Sequence, residues 1–271
     1  MTGALVAYRW ELRKLVAQKR TYIGLGAAAL LPVVFVTVMA LQKGGPYDAP
    51  LGHNLRRTGL ALALVVLNFV SRFGAQLVAA LVAGDIVASE HAGKTLKMIL
   101  TRSLRRGQIL AGKTLASFTY VLATILVLGT AGLVAGSAAW GFNPLTNLSG
   151  VRVSALHTLW LSAAALGVFS LPLIAVAAFA ILLSTLTRNS AASIVGTLVY
   201  ALGQEAIAGL VHQSWAKHYL LSDQFDGWHG LFMSPIDWTL IARAAWVSAI
   251  FAAVPLALAY AIFKSRDVAD D

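Results

Sequence analysis

The sequence contains no cysteine. Disulfides, thiolate metal sites and cysteine nucleophiles are thereby excluded, and the redox compartment is left open. Charge is scarce too. Only 12% of the 271 residues are charged, against 58% hydrophobic, and acids are the rarer sign, 11 against 21 Lys and Arg. A soluble domain of this size has too small a core to hide that apolar fraction. Paired carboxylates, a His motif and a nucleophile elbow are missing, which removes the usual footings of a membrane-bound enzyme. The N-terminal stretch is not expected to be a cleavable signal, because Arg9, Arg13, Lys14, Lys19 and Arg20 precede an apolar run too long for an h-region.

What is present is a series of apolar runs near the 20-residue length that crosses a hydrocarbon core of about 30 Å. They predict an all-α integral membrane protein, one transmembrane domain over 1–271, with six spans at about 21–41, 59–87, 111–138, 154–186, 191–211 and 240–263. The run 154–186, with Pro172 midway, is too short for two crossings and a turn and reads as one tilted or kinked helix. The net charge of +10 would point to nucleic acid in a soluble protein. Here the basic residues flank apolar runs, so a membrane surface explains them better, and no nucleic-acid partner is expected. Fourteen Lys and Arg fall on one side of the six-span layout and five on the other, with Arg72 and Arg243 within or at the edge of spans. The bias predicts a multi-pass protein of the cytoplasmic (inner) membrane with both termini in the cytoplasm.

Residues 1–20 read as an amphipathic helix lying on the membrane, with Leu5, Tyr8, Leu12, Leu15 and Val16 at helical spacing and Arg9, Arg13 and Lys14 facing elsewhere. A second amphipathic helix is expected between spans two and three. Leu96, Ile99, Leu100 and Leu104 form its apolar stripe, and Lys94, Lys97, Thr101 and Arg105 its polar one. Such a helix either carries force from a soluble partner or rests on lipid. Just beyond it, Gly107 to Thr114 spells the phosphate-loop pattern G-x-x-x-x-G-K-[ST]. That loop needs a buried strand before it and a helix after it. A membrane span follows here at once, so the match is read as accidental and Lys113 as a residue snorkelling at the start of span three.

Several of these segments together resemble the type-2 ATP-binding-cassette (ABC) permease family, the membrane subunit of many ABC exporters. They are the Gly84-Asp85 ending, then Glu90, Gly93-Lys94-Thr95-Leu96, Leu100, the Arg105-Arg106 pair and Ala111-Gly112-Lys113. Trp10-Glu11-Leu12-Arg13-Lys14 resembles the family's opening helix, and Leu182 to Ala192, with Ser184, Arg188 and Ser190, its second cytoplasmic turn. Lys94 intervenes where the family runs Gly-Thr directly. The resemblance spans nearly the whole chain. It implies a permease with no ATPase site of its own, pairing with a second copy or close paralogue and with two copies of a separate ATPase subunit, in a bed of membrane lipid. No cofactor would bind this chain, and ATP and Mg would sit on the partner. Glu90, His91, Gly93, Thr95, Leu96, Leu100 and Arg105 would form the coupling helix seated in a groove of that ATPase.

Polar residues inside the spans are the other candidates. Asn68, Arg72 and Gln76 are spaced i, i+4, i+8 and share one face of an unbroken helix. Span five offers Gln204 and the acid Glu205, although ideal rises leave about 10 Å between Arg72 and Glu205. In the resembled family spans two and five line the substrate path and short re-entrant helices cap it. A helix–helix hydrogen-bond clamp is the plainer reading. The loop 212–238 carries Tyr219, Trp215, Phe225, Trp228 and Trp238, expected as an interfacial girdle. Its His212, His218, His229, Asp223 and Asp226 show no metal-ligand spacing and read as ordinary surface polar residues. Asn147-Leu148-Ser149 spells a glycosylation acceptor, a frequent chance match. An ABC export permease is the leading expectation. An ion-gradient-driven carrier, or an ABC-type complex that transmits motion without transport, are the alternatives.

Overall fold

With no water available in hydrocarbon, backbone polar groups must bond within the chain, so apolar runs of this length close into helices. The computed structural model describes residues 3–41, 51–54, 56–89, 105–211 and 213–265. The helices are α1 (Gly3–Ala17), α2 (Lys19–Leu41), α3 (Gly59–Arg72), α4 (Gly74–Asp85), α5 (Arg106–Trp140), α6 (Ala155–Thr187), α7 (Ser190–Leu210), α8 (Ser214–Lys217) and α9 (Trp238–Ser265). Two 3-10 helices (Gly52–Asn54 and Ser222–Phe232) and a hairpin of β1 (Leu145–Thr146) and β2 (Arg152–Val153) complete the described elements. Helices α2, α5, α6, α7 and α9 are each long and apolar enough to cross a membrane; α3 and α4 pass that test only as a pair, bent by 49°. The chain is an all-α membrane protein apart from that short hairpin.

Helix α6 is the axis of the bundle, with α4, α5, α7, α9 and the long 3-10 helix around it. Its buried face is rich in alanine, including Ala165, Ala175, Ala177 and Ala180, and small side chains let neighbouring backbones approach. Pro172 lies inside α6, and the helix runs on through it, as a single long span requires. Arg188, in the left-handed region at φ 54°, ends α6. Asn189 starts α7 by accepting from the Ala192 N–H at 3.1 Å. A two-residue link thus reverses the chain. Helix α3 lies close against α5. A Cβ at Gly59 would fall on the backbone of Gly136, and one at Gly132 would lie 3.3 Å from Ala63 Cα. Helix–helix association in lipid favours such small-residue seams.

Four details of the structure bear on the sequence expectation. Span two is not one helix, because it breaks at Phe73. Helix α1 exists, but its buried stripe is Ala7, Glu11 and Leu15, while Leu5 and Val16 are exposed. Phe225 and Trp228 are core residues and not interfacial ones; with Phe232 they pack beneath α6, Phe169 lying 5.7 Å from Trp228 between ring centroids. Trp215, Trp238 and Tyr219 remain exposed as expected. Lastly, Asn147 is buried and its side chain is committed. Its Oδ1 accepts from the Ser149 and Val151 N–H groups, and its Nδ2 donates to Ser234 Oγ at 2.7 Å. It staples the hairpin, and the glycosylation spelling is accidental.

Candidate functional site

Two polar constellations stand out, one at each end of the bundle. At the end that carries α1, the segment Gly107–Thr114 is helical throughout, within α5. No loop is available there to cradle a phosphate. Gly112 serves a different purpose: a Cβ there would lie 2.7 Å from the Tyr8 amide nitrogen, so α1 crosses α5 at this glycine. Lys113 does not snorkel. It is fully buried, and its Nζ donates to Glu11 Oε1 at 2.9 Å and to the Ile86 carbonyl at 3.0 Å. A lysine in the first turns of a span is read as surface-bound unless a buried acid is known nearby, and Glu11 lies 102 residues away. Arg20 pairs with Asp85 at the end of α4, and Ser184 Oγ on α6 accepts from the Val87 and Ala88 N–H groups. Both ends of the segment joining α4 to α5 are therefore fastened to α1, α2 and α6. Of the residues assigned to a coupling helix, Arg105 is the N-cap of α5, its N–H donating to Gln108 Oε1 at 3.1 Å. Glu90, His91, Gly93, Thr95, Leu96 and Leu100 lie outside the described residues.

At the opposite end, the break at Phe73 leaves Arg72 as the last residue of α3 and turns it toward α7 and the long 3-10 helix. Its Nη1 lies 3.3 Å from Glu205 Oε2 and its Nη2 2.6 Å from Asp226 Oδ2. The depth gap calculated for ideal straight helices does not arise, because span two is neither straight nor continuous. For the same reason Asn68, Arg72 and Gln76 do not form one helical row. Asn68 Oδ1 is buried without a hydrogen-bond partner among the described residues, and Gln76 is buried on α4. Gln204 ties α7 to the 3-10 helix. Its Oε1 accepts from the Leu221 N–H at 3.3 Å and its carbonyl accepts from Ser222 Oγ at 3.2 Å.

Asp223 pairs with Arg243 of α9 at 3.4 Å, and His229 Nε2 lies 4.0 Å from Asp226 Oδ1. Burial pushes the Asp223 carboxyl above its ordinary range, with Arg243 opposing. Burial likewise holds the His229 imidazole below its usual value, partly offset by Asp226. By sequence alone Asp223, Asp226 and His229 read as ordinary surface residues. A signal was present: they recur every third residue, as do Phe225, Trp228 and Leu231, and three residues per turn is the 3-10 repeat. Among the described residues no group of three or more His, Asp or Glu has the geometry of a metal site.

A helical membrane bundle with a half-buried charge network around a broken span defines the class: an all-α membrane protein with ionisable groups packed among its helices. A family model described as "Protein of unknown function (DUF2705)" matches residues 29–269, and the chain belongs to that family. No curated protein matches the chain.

Proposed function

We propose that this chain is the membrane-spanning permease subunit of an ATP-binding-cassette exporter of the type-2 kind, driven by ATP hydrolysed on a separate subunit. Counting the bent pair α3–α4 as one broken span gives six spans. An even span count and the Lys and Arg bias together support a reading with both termini in the cytoplasm and the protein in the inner membrane. One observation carries the reading. The segment between α4 and α5 is fastened at both ends, through Lys113 to Glu11 and through Asp85 to Arg20, to the membrane-surface helix α1 and the start of α2. A push on that segment by a soluble motor would therefore reach α2, α4, α5 and α6 together. The bent span and the Arg72 network would form the wall of the path at the other end, a placement that suits costly intramembrane charges.

The test is co-purification of the tagged chain from its native membrane. A complex of two permease and two ATPase subunits is expected, with ATP hydrolysis confined to the partner. Hydrolysis by the purified chain alone would overturn the reading. A broken span beside buried acids also suits an ion-gradient-driven carrier. Transport that survives vanadate but not a protonophore would favour that alternative.

A further inference from the structure

The network around Arg72 is short of positive charge. Three carboxylates, Glu205, Asp223 and Asp226, meet two guanidiniums, Arg72 and Arg243. His229 does not make up the difference, because burial keeps its imidazole toward the neutral form. The shortage falls on Glu205. Arg72 binds Asp226 more closely, at 2.6 Å against 3.3 Å, and Glu205 Oε1 is buried with no hydrogen-bond partner among the described residues. An uncompensated buried charge is costly, so such a site either neutralises or takes up a counter-ion.

Glu205 lines a narrow cleft with room for about 10 Å³ between α4, α6, α7 and the long 3-10 helix. Gln76 also lines it. That side chain is 4% exposed, and its carboxamide makes no hydrogen bond among the described residues. Ser222 gives its hydroxyl proton to the Gln204 carbonyl, which leaves its oxygen free to accept. Phe225 and Tyr200 supply aromatic walls, Tyr200 being held in place by stacking on Phe179 at 4.0 Å.

We propose that this cleft binds a primary ammonium group, with Glu205 as its counter-charge and Gln76 and Ser222 as further acceptors. An ammonium carries three N–H donors and no acceptor, which matches three oxygens, and aromatic faces attract cations. That space is about the size of one water or one ammonium nitrogen, and it falls far short of the roughly 300–1,000 Å³ of sites that hold a drug-sized molecule. The ammonium is therefore either a small free ion or the head of a longer molecule whose remainder lies outside. As the head of an exported molecule it rests on the export reading above; as a bound cation it does not.

The test is thermal unfolding of the purified full-length chain in detergent, titrated with ethylammonium chloride against sodium chloride at equal ionic strength. A ligand that binds the folded state raises Tm with concentration. Ethylammonium is expected to give a saturable rise that sodium does not. Glu205→Gln should weaken its apparent Kd about tenfold or more, and Gln76→Leu about fivefold. Equal responses to both salts, or an undiminished response in Glu205→Gln, overturn the site. Should Glu205→Gln fail to fold, Gln76→Leu decides, and an unchanged affinity there overturns the site. A second arm measures ATP-driven movement of a long-chain primary alkylamine into inverted vesicles. Ethylammonium binding without such movement leaves the cation site standing and counts against the export reading alone.

Discussion

Lys113 and Glu11 illustrate how little of a buried ion pair is visible in a linear sequence. Each has an ordinary surface reading by itself, one as a basic flank and the other as part of an amphipathic helix. Their meeting depends on Gly112, which lets the α1 backbone lie against α5. Breaking a buried pair from one side leaves a charge stranded and costs about 3–5 kcal/mol. Glu11→Ala should therefore lower the yield and Tm of the purified protein sharply, whereas Glu11→Gln with Lys113→Met should regain most of the loss. A double variant no better than the single one would show that Lys113 has other, stronger partners. His229 permits a second test at this scale. Its folded pKa lies below the unfolded value of 6.5, so the unfolded chain binds more protons as pH falls through about 6.5, and stability is lost from there downward. The raised Asp223 carboxyl acts in the opposite sense, between its raised folded value and the unfolded 3.8. Tm should thus decline between pH 7.5 and 5.5 in the parent protein, and the decline should be shallower in His229→Gln.

Among elements, the long single-type helices were legible because length and hydropathy decide them. The run with Pro172 is one helix, α6, as its length requires. The break at Phe73 was not legible. Ser71-Arg72-Phe73-Gly74 contains no proline, and hydropathy continues across it. What decides the bend is tertiary: Arg72 has two carboxylates to reach, and one of them lies on a 3-10 helix whose period of three escapes a search for periods of 2 and 3.6. The 3-10 helix and the broken span are thus coupled through one guanidinium. Double-mutant cycles on Tm should give an interaction energy above about 0.5 kcal/mol for Arg72 with Asp226, and a smaller one for Arg72 with Glu205, following the 2.6 and 3.3 Å distances. Arg72→Ala should cost more than Arg72→Gln, which keeps hydrogen-bonding capacity. Additive behaviour for both pairs would mean that the contacts do not hold the bend.

At the scale of the molecule, composition alone identifies a membrane protein, and Asn68, Arg72, Gln76, Gln204 and Glu205 stand out in the sequence as polar residues within apolar spans. Asp226, the closest partner, was missed because loop acids carry no penalty that marks them. The proposed coupling helix gives a prediction for the whole assembly. Replacing both Leu96 and Leu100 with Asp should abolish ATP-driven transport in reconstituted vesicles while membrane insertion of the chain persists. Hydrophobic anchors dominate protein interfaces, whereas isolated surface charges contribute about 1 kcal/mol or less. Full transport in the double variant would remove that segment from the drive.

Helix α5 carries a mechanical corollary. Its 35 residues, at a rise of about 1.5 Å each, make a rod of roughly 52 Å. The hydrocarbon it crosses is about 30 Å thick. The rod therefore protrudes from the membrane, with Lys113 near one tip and the Gly132 and Gly136 seam with α3 near the other. A tilt of about 10° about its midpoint displaces each tip by roughly 4–5 Å, in opposite directions. Lys113, about 15 Å from that midpoint, would move by roughly 2.6 Å, enough to break its hydrogen bonds of 2.9 and 3.0 Å. Any such rocking would have to carry α1 along with the rod, or release it.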